Sequence, residues 1–114
     1  MHLSRIIIFT PNVKRLAEFY ARCFQLTPIG GVTDGWAELD AGGCSIALHA
    51  INEHSPIRDG WTKIVFCAGD VRAEKARLES LGVTMSDIVE FEGILLCDGR
   101  DPDGNDFQIS SRGQ

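Results

Sequence analysis

Arg5-Ile6-Ile7-Ile8-Phe9-Thr10 and Lys63-Ile64-Val65-Phe66-Cys67-Ala68 are one pattern written twice. Each opens on a cation and runs on through β-branched and aromatic residues, so each reads as a strand. At the same offset, Asn12-Val13 lies over Asp70-Val71. The side chains of Asn12 and Asp70 suit a helix start, where they accept from amides that have no partner inside the helix. The chain is therefore expected to be an internal duplication, with a strand leading into a capped helix in each half.

The first helix is predicted over residues 13–23, where Leu16, Phe19, Tyr20 and Cys23 make one apolar stripe. The second is predicted over residues 71–81, with Val71, Leu78 and Leu81 on its buried face and Gly82 as a left-handed stop. Shorter strands follow each helix. In the first half they fall at residues 26–32, 36–40 and 44–49, with turns at Asp34-Gly35 and Gly42-Gly43. In the second they fall at 83–90, 94–97 and 106–111, with turns at Glu92-Gly93 and at Asp101-Pro102-Asp103-Gly104-Asn105. Residues 51–60 are polar, contain Pro56 and Gly60, and read as a linker. The expected fold is α+β: one domain made of two tandem βαβββ modules, about 1–50 and 61–112. One helix covers only one face of a sheet. The uncovered faces are expected to curve into a cup that serves as a pocket.

Composition narrows the function. The chain has 114 residues, 44% hydrophobic and 24% charged, which is the make-up of a folded domain rather than a disordered one. A net charge of −5 with no Lys/Arg cluster argues against a nucleic-acid partner. The longest apolar run, Ile6-Ile7-Ile8-Phe9, is too short to span a bilayer. No secretory leader is recognisable, so a cytoplasmic location without membrane attachment is expected. Cys23, Cys44, Cys67 and Cys97 are singly spaced and read as buried small hydrophobes in a reducing compartment.

The segment 12–24, with Glu18-Phe19-Tyr20-Ala21-Arg22, and the turn Arg100-Asp101-Pro102-Asp103-Gly104-Asn105 resemble the vicinal oxygen chelate superfamily. That superfamily includes glyoxalase I, bleomycin-resistance proteins and extradiol dioxygenases. Asp70-Val71 and Leu78-Glu79-Ser80-Leu81-Gly82-Val83 extend the resemblance over nearly the whole chain. Phe24-Gln25 departs from the Leu-Gly usual after the first helix. The turn also has a local account: Asp101 and Asp103 can accept backbone N–H bonds, Pro102 sets φ, and Gly104 permits positive φ.

The resemblance implies that metal-binding members take ligands from the opening and closing strands of the modules. Counted from Asn12, from Asp70 and from Gly104-Asn105, those positions here are Arg5, Ala47, Lys63 and Gln108. A divalent ion needs lone-pair donors. Guanidinium and ammonium offer none, alanine has no donor atom, and only Gln108 could coordinate, weakly. No metal and no cofactor are therefore expected, and metal-dependent glyoxalase or dioxygenase activity is disfavoured.

Strand alternation sorts the remaining side chains. Arg5, Ile7 and Phe9 should line the cup, as should Lys63, Val65 and Cys67, Ser45, Ala47 and His49, and Asp106, Gln108 and Ser110. Ile6, Ile8, Ile46, Leu48, Ile64, Phe66, Phe107 and Ile109 should pack under the helices. Trp36 and Glu38 share the cup-facing side of their strand, and Trp61 stands at the rim. The expected ligand-binding set is Arg5, Ile7, Phe9, Trp36, Glu38, Ala47, His49, Trp61, Lys63, Val65 and Gln108. Glu38, His49 and Lys63 are the acid–base candidates. The competing reading makes Arg5 and Lys63 structural ion pairs to acids such as Glu38 or Asp106. The function expected is metal-independent binding of a small organic molecule, for resistance or sequestration. The alternative is an enzyme that uses the acid–base residues or an atypical metal site. The resemblance also implies a homodimer.

Overall fold

The computed structural model describes residues 1, 3–52 and 62–112. The chain divides into two compact units, Met1–Arg58 and Asp59–Gln114. The first runs β1 (Arg5–Thr10), α1 (Val13–Phe24), β2 (Thr27–Pro28), β3 (Trp36–Asp40) and β4 (Ser45–Ala50). The second repeats it as β5 (Ile64–Cys67), α2 (Val71–Ser80), β6 (Val89–Phe91), β7 (Ile94–Arg100) and β8 (Asp106–Ser110). The sheet orders are β1-β4-β3-β2 and β5-β8-β7-β6. In each, the opening strand pairs parallel with the closing strand and the other pairings are antiparallel. The βαβββ duplication is thus present, as two open mixed sheets with one helix each.

Both predicted caps form. Asn12 Oδ1 accepts from Arg15 N at 3.0 Å and Asp70 Oδ1 from Ala73 N at 3.0 Å. Helix α1 lies on β3 and β4, and buries Val13, Leu16, Ala17, Phe19, Tyr20 and Cys23. Helix α2 lies on β7 and β8 and buries only Val71 and Leu78. Its solvent side carries the pairs Lys75–Glu79 and Arg77–Glu74, at 3.2 and 2.8 Å. Leu39, Ile46, Leu48, Phe107 and Ile109 are buried beneath the helices, as alternation requires.

Helix α1 ends on Gln25, whose φ of 56° lies in the left-handed region. This is where the sequence departs from Leu-Gly, and the non-glycine residue takes up the strain instead. Replacing it, Gln25→Gly, is expected to raise stability by about 1 kcal/mol, measured by urea denaturation.

Four expectations are corrected, three on strands and one on the cysteines. The strand predicted at 26–32 shrinks to Thr27–Pro28, because Gly30 takes a φ of +74° and turns the chain away. The strand predicted at 83–90 shrinks to Val89–Phe91 plus a single bridge between Met85 and Gly99. At Ser86 half of the ladder is kept, with Ser86 N donating to Asp98 O at 2.8 Å, but in return Asp98 N donates to Ser86 Oγ at 2.9 Å. The strand predicted to stop at Cys97 runs on to Arg100. Among the cysteines, Cys23 and Cys97 are buried, but Cys44 is half-buried and Cys67 exposed. Cys67 is on the sheet face turned away from α2, opposite Phe66, so no helix covers it. Of the predicted linker, residues 53–60 lie outside the described residues, as does Trp61.

Candidate functional site

In the first unit the face turned away from α1 is ordered in rows by strand register. Phe9, His49 and Trp36 make one row; Ile7, Ala47 and Glu38 the next; Arg5, Ser45 and Asp40 the third. The first row is aromatic: the His49 ring lies 5.3 Å from Phe9 and 6.0 Å, edge-on, from Trp36. His49 Nδ1 is 2.7 Å from Ala50 O, which makes Nδ1 the donor and leaves the lone pair of the neutral ring on Nε2. Ile7 is exposed, whereas Ala47 between its larger neighbours has no accessible surface.

Glu38 ties the other two rows together. Its Oε2 accepts from Arg5 Nε at 3.2 Å and from the Ser45 hydroxyl. The Ser45 bond is the main cause of a Glu38 pKa below the ordinary carboxylate value; desolvation opposes it and Arg5 adds to the lowering. A carboxylate with a depressed folded pKa stabilises the fold above its unfolded pKa and loses that contribution as pH falls through the folded value. Acidification below the usual 4.5 is therefore expected to weaken the wild-type chain more steeply than Glu38→Gln. Thermal melts in a pH series check this, and parallel curves would refute it.

The second unit has the corresponding face. Cys67, Ser110 and Leu96 share one row, and Val65, Gln108 and Asp98 the next. Arg100 and Asp106 are cross-strand partners in the row beyond. Lys63 Nζ lies 3.2 Å from Asp98 Oδ2, and Gln108 Nε2 donates to Asp98 Oδ1 at 2.9 Å. Asp106, one of the acids named as a partner for Arg5 or Lys63, pairs with Arg100 at 3.3 Å. Lys63, Asp98, Arg100 and Asp106 border a cavity of about 430 Å³, which Thr84, Met85, Ser86 and Gly99 also line.

The structure thus joins Arg5 to Glu38, His49 to Phe9 and Trp36, and Lys63 to Gln108 through Asp98. Asp98 and the 84–86 segment were not anticipated. Asp-Gly-Arg-Asp reads as the start of a turn because Asp and Gly are depleted in strands. Continuing the alternation past Cys97 would have put Asp98 and Arg100 on the open face.

This architecture, two βαβββ modules each with one open sheet face, defines the class. The model of the Glyoxalase/Bleomycin resistance protein/Dioxygenase superfamily matches residues 2–109, and the chain belongs to that superfamily. No curated protein matches it. Among solved structures it is similar to an integron cassette protein from the mobile metagenome of V. cholerae, with 23% identity and a TM-score of 0.75 over 96% of this chain and 94% of that one. It is also similar to lactoylglutathione lyase from Agrobacterium tumefaciens, with 17% identity and a TM-score of 0.73 over 95% and 91%. A third similar structure is the oxidase ChaP-H2, with 18% identity and a TM-score of 0.79 over 98% and 94%. At these identities the likeness shows the fold.

At the positions that the resemblance gives for metal ligands, Arg5, Ala47, Lys63 and Gln108, three of the four residues cannot hold a divalent ion. Arg5 and Lys63 carry positive charge and no acceptor, and Ala47 has no donor atom. The nearby carboxylates, Glu38 and Asp98, already bond to those cations. Among the described residues, no three His, Cys, Asp or Glu side chains gather in a way that could hold a metal. No described helix is long and apolar enough to cross a membrane.

Proposed function

We propose that this chain binds a small organic molecule without a divalent metal, as a resistance or sequestration protein does, and that it acts as a homodimer. The carrying observation is the pair of salt bridges at the positions that the resemblance gives for metal ligands. Arg5 holds Glu38 and Lys63 holds Asp98, each at 3.2 Å. An ion-pairing arrangement recurs in both modules where a metal-binding relative would place electron-pair donors. The open faces keep apolar surface beside these charges, with Ile7 and Val65 exposed, a mixture suited to organic ligands.

The test joins a ligand library to metal analysis. Compounds that bind only the folded chain are expected to raise its melting temperature. Zinc, nickel or iron is expected to wash out on dialysis with no loss of that binding. A stoichiometric ion removed by EDTA together with ligand binding would overturn the reading. Light scattering is expected to give the mass of a dimer.

A second reading, acid–base catalysis, is favoured by His49, whose ring is oriented by Ala50 O and its Phe9 and Trp36 neighbours, with Glu38 and Lys63 as the other candidates. It requires turnover of a bound compound that His49→Gln abolishes while binding persists.

A further inference from the structure

We infer that the cavity of the second module takes a zwitterion, a molecule carrying one anionic and one cationic group; this rests on the small-molecule reading above. The cavity is lined by two cations, Lys63 and Arg100, and two carboxylates, Asp98 and Asp106. They form the pairs Lys63–Asp98 and Arg100–Asp106, at 3.2 and 3.3 Å. Along β7 the signs alternate on one face, Asp98 then Arg100. Across to β8, Arg100 stands opposite Asp106 and Asp98 opposite Gln108.

This checkerboard discriminates by charge. A purely anionic ligand that reached the cations would also meet Asp98 and Asp106. A purely cationic one would meet Lys63 and Arg100. A ligand with both charges, set apart, can place each against its opposite. The existing pairs are open to exchange. Their side chains keep 40% and 47% exposure in one pair and 73% and 39% in the other, and ion pairs so exposed hold little energy.

The walls supply the rest of a binding site. Thr84, Met85, Ser86 and Gly99 complete the lining of the cavity. The Ser86 Oγ position is held by the Asp98 amide at 2.9 Å, and Gln108 Nε2 at 2.9 Å orients Asp98 itself. At about 430 Å³ the space falls in the range of small-molecule sites. The first module has Ala47 where the second has Gln108, and its carboxylate Glu38 is closed off by Ser45 and Arg5. The inference therefore concerns the second module alone.

The probe is triglycine at neutral pH, compared with N-acetyl-triglycine, which keeps only the negative charge, and triglycinamide, which keeps only the positive. Binding is read from amide shifts of the isotope-labelled full chain. Triglycine is expected to shift Ser86, Gly99 and Arg100 saturably, with at least tenfold tighter binding than either analogue. Lys63→Gln and Asp98→Asn are each expected to erase that preference while the amide spectrum stays that of a folded chain. If an analogue matches triglycine at these amides, or triglycine leaves them unmoved, the inference is overturned. A library compound that still raises the melting temperature would then leave the small-molecule reading standing. The absence of any such compound would remove both.

Discussion

Asp101→Ala is expected to cost about 3 kcal/mol of stability, read from urea denaturation. Asp101 is buried, and its carboxylate organises the turn between β7 and β8. Oδ1 accepts from the amides of Asp103 and Asn105, both at 2.9 Å, and Oδ2 accepts from Asn105 Nδ2 at 2.6 Å. Backbone bonds close the same turn: Asp101 N donates to Asn105 O at 3.0 Å, and Gly104 N to Asp101 O at 2.9 Å. Alanine keeps the backbone bonds but strips the acceptor from three donors at once. Hydrogen bonds to an ionised acceptor are worth more than neutral ones, and donors left buried add their desolvation cost. Asp101→Asn keeps one acceptor oxygen for the two backbone amides, so it should lose less than half as much. Equal losses in the two variants would mean that the carboxylate does not organise the turn. Asp103 enters the network through its backbone amide, which donates to Asp101, so the two acids of the motif have different roles.

Gly99→Ala is the second large effect, a loss of about 2 kcal/mol, despite alanine's better strand preference. Gly99 is in β7 between Asp98 and Arg100, so a Cβ there points away from the open face. It would stand 2.5 Å from Phe107 Cζ and 2.6 Å from Met85 Sδ. Met85 can swing aside, but Phe107 is fully buried and has nowhere to go. The usual gain on replacing glycine, from a less flexible unfolded chain, is about 0.4–1 kcal/mol and is outweighed. Phe107→Leu should partly relieve the clash, so the double variant should lose less than the two single losses added together. Strict additivity would show that Phe107 does not meet the new methyl.

The two modules also show which contacts could be read in advance. Alternation puts Arg5 and Glu38 on the same face, and Glu38 is one of the acids that the sequence offers to Arg5 or Lys63. For Lys63 the partner is Asp98, which the sequence reading does not name. Asp106 is the direct cross-strand partner of Arg100, which pairs with it. Alternation tells which face a side chain is on but not which strand residue stands opposite. That depends on where β7 begins and ends, and the turn-like Asp98-Gly99-Arg100-Asp101 hid the last part of that strand.

The amino-acid order alone determined the duplication, the two capped helices, the buried faces and the cation that opens the first strand of each half. Each follows from a local period or a single residue's chemistry, within reach of a few neighbours along the chain. Only tertiary structure decided which carboxylate answers which cation, that the Ser86 side chain takes one bond of a ladder, and that a cavity opens beside Asp98. These depend on strand register and side-chain volume between segments far apart in sequence, where no short-range periodicity carries the information.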